Sequence, residues 1–301
     1  MVFLQTKFLP LSKVPIVIEL ELVDDVNDCV VTPDPSTSVN AAKFTIGNTN
    51  DWHIENFSVK VDLVVLDNGL QSSYDSHLLS GASFPINYNT FITQCQNVIG
   101  GTQAIIGGTA SGTVTIGQQK INLSVSRAVT RLKSVFVTLD KDVSYENKEG
   151  GFKARKSFND FYSPMNDYSL GNNMVNMHYN QEGEFDFQMQ IGSVRYPQNQ
   201  IRSHTEAYYQ LKKCLGIQSS PVHSFDINAI EYRHSKMIIG IDTERQLGSG
   251  FTGISTRSGD VMTIQLNHKH PDPLTYATQV YITLHSDNVL EIRDSGVSVF
   301  D

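Results

Sequence analysis

Charge is scarce in this 301-residue sequence. Only 18% of its residues are Asp, Glu, Lys or Arg, against about 25% in an average soluble protein, and none of these occurs between Ser76 and Gln119. The net charge is −8 and the pI is near 5.6, so no basic footprint for nucleic-acid phosphates is visible. The densest basic run, residues 153–156, is interpreted as a solvated loop. We therefore expect no direct nucleic-acid binding.

Cysteine is also rare, with three residues at Cys29, Cys95 and Cys214. An odd count at wide spacings argues against a disulfide scaffold and predicts a reducing compartment. The apolar stretch over residues 1–18 is interrupted by lysines and prolines, which excludes the uninterrupted core that a signal peptide needs. No apolar run is long enough for a transmembrane helix. The sequence thus predicts a chain that is neither secreted nor embedded in a membrane.

Apolar residues repeat with a period of two along most of the chain. In residues 184–191, for example, Phe185, Phe187, Met189 and Ile191 alternate with polar or acidic side chains. A pleated strand gathers such residues on one face, whereas a helix would scatter them. One-sided strands are typical of antiparallel sheets packed face to face. Eight strands are predicted at 83–93, 120–128, 133–140, 184–192, 236–243, 260–267, 278–286 and 289–300, and further ones at 14–23, 41–47 and 54–66.

Helical signals are few. Ser203 and Glu206 form a capping box, and Gly216 stands where a left-handed C-cap belongs, which predicts a helix between them. A weaker amphipathic pattern predicts another helix over 68–80. The glycine-rich stretch 99–118 is interpreted as a hairpin tip or mobile loop. The pattern therefore predicts an all-β fold, an eight-stranded antiparallel jelly roll with an inserted helix.

Several motifs together resemble one protein family. They occur in order over nearly the whole chain, at 9–11 (LPL), 18–22, 74–89 (YDSHLLSGASFPINYN), 126–136 (SRAVTRLKSVF), 201–203, 240–244 (GIDTE), 250–253 and 290–297 (LEIRDSGV). In these residues the chain resembles the double jelly-roll major capsid proteins of polinton-like and adintovirus-like DNA viruses.

This resemblance implies a structural viral capsid protein and no enzyme. Each subunit of such proteins contains two jelly rolls, three subunits form a homotrimeric, pseudo-hexagonal capsomer, and capsomers tile an icosahedral shell. The implied partners are further copies of the chain, neighbouring capsomers, and penton or minor capsid proteins. The implied location is the virion, with synthesis in the host cytoplasm or nucleus.

Members of that family are much longer, which bears on the division into domains. Residues 1–82 are interpreted as the closing strands of an incomplete first jelly roll plus a linker, and residues 83–301 as the second jelly-roll barrel. The alternative is two compact barrels split near residue 130. The loops 94–119 and 141–183, with the C-terminal strand, are predicted to make contacts between subunits or to face outward.

Two motifs could carry chemistry in a different protein class. Residues 248–253 match G-x-G-x-x-G, but 254–259 lead toward a strand instead of the helix that a dinucleotide site needs. His268 and His270, with Asp272 and His285, could chelate a metal in a cupin-like barrel. Because prolines flank Asp272, that segment is interpreted as an exposed turn.

The remaining candidates are also interpreted as structural. A thiolate at Cys214 would lie in the unfavourable last turn of a helix, and an acidic turn without an EF-hand glycine is a poor calcium loop. The other residues considered are Asp24, Asp25 and Asp28 for calcium, the pair Arg293 and Asp294 as an ion pair or intersubunit contact, and Trp52, Tyr208 and Tyr209 as core or interface. No catalytic residue, cofactor or metal ligand is assigned. Two alternatives remain open, a jelly-roll carbohydrate-binding or attachment module and a cupin-like metal enzyme.

Overall fold

A computed structural model describes thirteen parts of the chain, which together contain twelve strands and two helices. The described residues are 8–21, 31–33, 44–46, 53–98, 102–109, 112–140, 185–217, 227–229, 232, 236–244, 253–257, 260–270 and 277–301. The helices are α1 (Asn68–Leu79) and α2 (His204–Cys214). The strands are β1 (Val31–Pro33), β2 (Phe44–Ile46), β3 (Phe84–Asn97), β4 (Thr102–Thr109), β5 (Gly112–Val125), β6 (Leu132–Asp140), β7 (Phe185–Ile191), β8 (Val194–Ile201), β9 (Ile239–Asp242), β10 (Met262–His270), β11 (Gln279–Arg293) and β12 (Gly296–Phe300).

Two antiparallel sheets define the fold. Sheet I runs β3-β11-β6-β9, with β12 pairing the C-terminal half of β11, and sheet II runs β4-β5-β10-β7-β8. If β3 and β5 to β11 are counted as strands one to eight, sheet I has the order 1-8-3-6 and sheet II the order 2-7-4-5. Strands 1 and 8, 2 and 7, 3 and 6, and 4 and 5 are thus neighbours. These four pairs together are the signature of an eight-stranded jelly roll. The predicted fold class is confirmed.

Alternating apolar side chains from both sheets form one core. On sheet I, Val135 and Val137 of β6 lie opposite Ile241 and Ile239 of β9, so all four share a face. The facing side chains of sheet II belong to β5, β7 and β10. The core thus contains Ile121, Leu123, Val125, Phe185, Phe187, Met189, Met262, Ile264, Leu266, Val280, Ile282 and Leu284. Burial of these residues is the main stabilising contribution to the fold.

Helix α2 packs on the outer face of sheet I. The Ser203 hydroxyl accepts a hydrogen bond from the Glu206 amide at 3.1 Å, and the Glu206 carboxylate accepts one from the Arg202 amide, one residue before the cap. Gly216 has φ +67° and closes the helix, as predicted. A Cβ at Gly240 of β9 would lie 3.0 Å from the Leu211 side chain. This glycine therefore lets the helix approach the sheet closely.

Two strand predictions were wrong in ways that burial explains. β8 was missed because its sequence is polar, contains a proline and does not alternate. β11 was divided into 278–286 and 289–300, whereas it is one strand of 15 residues. Its middle residues, Ser286, Asp287 and Asn288, are polar but buried. The hydrophobic pattern is interrupted there while the ladder to β3 continues.

The stretch 99–118, interpreted as a hairpin tip or mobile loop, contains most of the β4–β5 hairpin. The alternative of two barrels split near residue 130 is wrong, because β5 and β6 on either side of that point belong to the two sheets of one barrel. The strands predicted at 14–23 and 54–66 are absent from the described parts of those ranges. The strand predicted at 41–47 is present as β2 (Phe44–Ile46), and the helix predicted over 68–80 is present as α1. Residues 14–21 and 53–67 are therefore strand-like in sequence without a hydrogen-bonded ladder in the described structure.

At one end the barrel continues into a smaller structure, which we call the terminal extension. It consists of residues 84–90 of β3, 287–293 of β11, and β12. Ile86, Leu290 and Ile292 form a separate small cluster here, covered by Leu9, Val14, Phe84 and Tyr88. Helix α1 joins this cluster through Tyr74, whose ring centroid lies 4.9 Å from that of Phe84. An ion pair of 3.0 Å between Lys13 and Asp294 holds the N-terminal segment against it.

Candidate functional site

The two described histidine rings of the candidate metal cluster lie in different sheets. His268 is on β10 of sheet II, between Gln119 and Phe185 of the neighbouring strands, and is fully buried. His285 is on β11 of sheet I and faces away from the core, since its neighbour Leu284 faces the core. Its ring stacks on Phe91 with centroids 4.6 Å apart. These two side chains cannot bind one ion, and Asp272 lies outside the described residues.

The glycine motif ends at a close approach between backbones. Gly253 has φ +148°, and a Cβ there would lie 2.9 Å from the Arg131 carbonyl carbon. The next residue, Ile254, exchanges two backbone hydrogen bonds with Leu132, at 2.9 and 3.0 Å. Residues 253–257 contain no helix. In this part of the motif the glycine permits a connection between strands, and no helix N-terminus is present to hold a pyrophosphate.

Cys214, at the end of α2, lies close to two residues on the outer face of sheet I. These are Ser134 of β6 and His285 of β11. The Ser134 hydroxyl is hydrogen-bonded to His285 Nδ1 at 2.9 Å. Burial raises the pKa of the Cys214 thiol to about 12, although a hydrogen bond with Ser134 partly opposes this shift. Burial, and secondly the Lys133 charge, lowers the pKa of His285. Both groups are thus neutral near pH 7, and Ser134 is too buried to meet a substrate.

An ionic cluster borders this group and was not predicted. Lys133 Nζ lies 3.2 Å from Glu244 Oε1 and 3.5 Å from Asp287 Oδ1, and all three side chains are largely buried. Arg131 also donates to the Asp287 carbonyl oxygen. These contacts join β6, the end of β9 and the middle of β11. The cluster provides partners for Asp287, the central residue of the polar interruption in β11, and has a structural role.

Other candidates have separate partners or lie outside the described chain. Tyr208 packs on Tyr232 with ring centroids 5.0 Å apart, as expected for a core or interface residue. Arg293 pairs with Glu291 at 3.1 Å and Asp294 pairs with Lys13, so each residue has an ion-pair partner other than its neighbour, and a contact of either one between subunits stays a prediction. The candidates that are not described are Asp24, Asp25, Asp28, Trp52, 141–183 (including the basic run 153–156) and 248–252.

The described parts of the chain contain no candidate metal cluster and no candidate membrane span. No group of three or more His, Cys, Asp or Glu side chains is placed there to hold a metal ion. Neither described helix is long and apolar enough to cross a membrane.

Exposed apolar side chains are concentrated in β12 and in the two unpaired segments 14–21 and 53–67. All five residues of β12 are exposed, including Val297, Val299 and Phe300. Among the described residues β12 pairs only with β11, which leaves its other edge open. The exposed apolar residues of the unpaired segments are Ile16, Val17, Ile18, Leu20, Ile54, Phe57, Val59, Val61, Leu63, Val64 and Val65. We call β12 and these two segments the terminal patch. Exposed apolar side chains that adjoin one another are typical of interaction surfaces, and the unpaired edge of β12 can accept a further strand.

Comparisons with known proteins detect a similarity of fold. No family model matches the chain, and no curated protein matches it in sequence. Solved structures match in fold. A crystal structure of PBCV-1 VP54, fitted into a reconstruction of the virophage Sputnik, is 10% identical with a TM-score of 0.39, covering 78% of this chain and 54% of that one. A quasi-atomic model of the PBCV-1 virus capsid is 11% identical with a TM-score of 0.35, at the same coverages.

The structure of the Sputnik virophage is 12% identical with a TM-score of 0.34, covering 72% of this chain and 38% of that one. This chain therefore spans about half the length, or less, of the structures to which it is similar. Likenesses of this size do not by themselves assign a function. The strand order of the two sheets defines the class of protein on its own: the chain contains a jelly-roll domain.

Proposed function

We propose that this chain is a structural subunit of a viral capsid, which assembles through trimeric, pseudo-hexagonal capsomers into an icosahedral shell. Jelly rolls serve as capsid subunits, lectins and metal enzymes, so the fold alone does not choose among these functions. The observation that carries the proposal is the terminal patch, in which the edge of one strand and the apolar side chains of two strand-like segments are exposed. Such a surface is stabilised when other copies or domains cover it. The resemblance of the chain's motifs to those of double jelly-roll capsid proteins supports the same choice.

The proposal includes the division into domains. Residues 1–82 are assigned to the closing strands and linker of a first, incomplete jelly roll, and residues 83–301 to the second barrel. Segments 14–21 and 53–67 support this assignment, because they alternate like strands yet have no ladder partner in the described structure. The exposed fractions of Leu63 and Val65, 71% and 92%, are what strands of an absent sheet would show. A fragment of residues 83–301 is expected to retain the cooperative unfolding of the barrel, measured by calorimetry.

Assembly proceeds by burial of the terminal patch between copies. Closed symmetry limits the number of subunits, and polar residues around the patch fix their orientation. The partners are other copies in a homotrimer, then neighbouring capsomers and penton or minor capsid proteins, and the location is the virion. The loop 141–183 is assigned to contacts or to the outer surface.

The test is the oligomeric state of the full chain by native mass spectrometry and sedimentation. Once a complete first jelly roll is supplied, we expect a trimer that forms sheets or shells in negative-stain images. Val299→Asp is expected to yield monomers, since a charge in the centre of a buried contact costs several kcal/mol. Val261→Asp is the matched control, because Val261 is equally exposed, at 59% against 54%, but lies before β10.

Two results would contradict the proposal. One is a chain that stays monomeric at its highest soluble concentration even with the complete first jelly roll. The other is a trimer that Val299→Asp and Val261→Asp weaken to the same extent, since assembly would then not involve the terminal patch.

A further inference from the structure

A bulge on the edge strand of sheet II builds a polar depression. Phe187 pairs with Ile201 and Met189 pairs with Tyr196, so Gln188 alone on β7 stands opposite residues 197–200 of β8. The four residues loop away from the ladder around the Gln188 side chain, which is 4% exposed. Its amide nitrogen donates to the carbonyl oxygens of Pro197 and Gln198, both at 3.2 Å. A buried side chain thus replaces the missing backbone partner and fixes the shape of the loop.

The depression has a volume of about 410 Å³ and contains only hydrogen-bonding side chains. Its lining is Gln188, Arg195, Gln198, Asn199, Gln200 and Arg202. The lining therefore contains two arginines and four amide residues, without a carboxylate or an aromatic ring among them. The chain as a whole has a net charge of −8, and the two arginines are the cationic side chains of this depression.

Two carboxylates, those of Asp186 and Glu206, lie near Arg202 at the border of the depression. Asp186 Oδ1 lies 3.8 Å from Arg202 Nε, but the Arg202 side chain is 75% exposed. An exposed ion pair at that distance contributes little, and an incoming anion can displace it. The Arg202 backbone is fixed independently, because its amide donates to the Glu206 carboxylate at 3.1 Å.

The surrounding face of sheet II is also rich in amides. Gln188 pairs with Gln265 of β10, and Gln265 pairs in turn with Asn122 of β5. Asp186 pairs with Asn267 of β10. The residues before and after each of them along the strand face the core. These polar side chains therefore lie on the outer face of the sheet and continue the polar surface away from the depression. A ligand longer than one group would therefore meet further amides along the sheet.

The chemistry of these side chains selects the ligand. Guanidinium groups bind carboxylate and sulfate oxygens through paired hydrogen bonds, and amides both donate to and accept from hydroxyl groups. The absence of aromatic rings from the lining disfavours base stacking, and two cations neutralise few phosphates. We propose that the β8 bulge is a binding site for an acidic saccharide, that is, a sugar carrying a carboxylate or sulfate group. This site does not depend on the capsid assignment.

The test is calorimetric titration of the full chain with four probes: a heparin tetrasaccharide, sialyllactose, neutral maltotetraose and a short oligothymidylate. We expect saturable binding of at least one acidic sugar, with one site per chain. Binding of sialyllactose would identify a carboxylate as sufficient, and binding of heparin alone would require sulfate. Maltotetraose is expected not to bind, and oligothymidylate to bind more weakly than the acidic sugar.

Matched variants locate the site. Arg195→Gln and Arg202→Gln are each expected to weaken binding by about tenfold, the usual loss for a charge-assisted hydrogen bond. Arg202→Lys keeps the charge but loses the paired geometry, so it is also expected to weaken binding. Arg127→Gln, at the end of β5, removes an exposed arginine elsewhere on the sheet and is expected to leave binding unchanged. Thermal melting checks that every variant is folded.

The proposal would be overturned by any of three results. The first is that neither acidic sugar binds, or that maltotetraose binds equally well. The second is that Arg127→Gln weakens binding as much as the bulge variants, which would indicate general charge attraction. The third is that oligothymidylate binds more tightly and is lost in the same variants, which would make the bulge a nucleic-acid site.

Discussion

Strands β3 and β11 run through both the terminal extension and the rest of the barrel, which we call the body. The two regions differ in how much of their apolar surface is covered by other parts of the chain. In the body, β3 and β11 lie over a core that is closed by sheet II, and Phe187 and Ile282 are fully buried. In the extension, the same strands have only a three-residue cluster beneath them, and β12 is exposed throughout. A strand ladder alone therefore does not complete a sheet, because an apolar face also needs a partner layer. Substitutions in the two regions are expected to differ accordingly.

The largest expected effect is in the core of the body. Phe187→Ala is expected to lower the free energy of unfolding by about 3–5 kcal/mol, because it leaves a cavity where no solvent reached. Val299→Ala in the extension is expected to change it by less than about 0.5 kcal/mol in the monomer, since that side chain is already in water. Urea unfolding monitored by circular dichroism measures both. Equal losses would contradict the contrast between the regions.

Two glycines sharpen the comparison at the level of the backbone. Gly253 in the body and Gly296 in the extension have φ of +148° and +139°, but a Cβ would contact the Arg131 backbone only at Gly253. Gly296→Ala is expected to cost about 1–3 kcal/mol from its backbone conformation alone, and Gly253→Ala is expected to cost more because of the added clash. If chemical denaturation shows the two variants to be equally stable, the contact of a Cβ at position 253 with the Arg131 backbone does not add to the cost of the substitution.

The two helices offer a smaller effect. Ser203 caps α2 on the body with a side-chain hydrogen bond, whereas Asp67 before α1 makes none. Ser203→Ala is expected to destabilise the protein by about 1 kcal/mol. Asp67→Ala is expected to have almost no effect on thermal melting. A larger effect of Asp67→Ala would show that α1 contributes more to the fold than its cap and its single buried leucine indicate.

The smallest expected effect is a dependence on pH at His285, where the body meets the extension. Its pKa in the folded chain is lowered from the ordinary value of 6.5, chiefly by burial. The unfolded chain therefore binds more protons below that value, so stability falls as pH decreases through 6.5 toward the folded pKa. His285→Asn is expected to flatten this part of the stability profile. A parallel profile for the wild type and this variant would exclude His285 as the cause.

Much of the barrel could be predicted from the sequence, because the signals are local. Strict alternation located β7, and the capping residues located α2 through hydrogen bonds within a few residues. The failures arose where a distant partner decides the outcome. Residues 286–288 are polar yet buried, and the partners of Asp287 among them, Arg131 and Lys133, lie at the start of another strand. Conversely, residues 57–65 alternate well but form no ladder in the described structure, because no neighbouring strand is placed beside them.

The candidate sites show the same division. Sequence reasoning noted His268 and His285 as residue types that bind metals, but not that they face different sides of different sheets. The bulge at 197–200 had no signal except a proline within a polar stretch. Its pairing with Gln188 is visible only once the register of β7 and β8 is known.

The sequence by itself determined which residues alternate, where α2 begins and ends, and that the fold is built from antiparallel strands, because each of these follows from side chains close together along the chain. Only the tertiary structure decided the order 1-8-3-6 and 2-7-4-5, the burial of polar residues within β11 and the exposure of β12. These depend on which strands meet across long stretches of sequence. A pattern with a period of two specifies that a strand has an apolar face, and only its neighbours determine whether that face is covered.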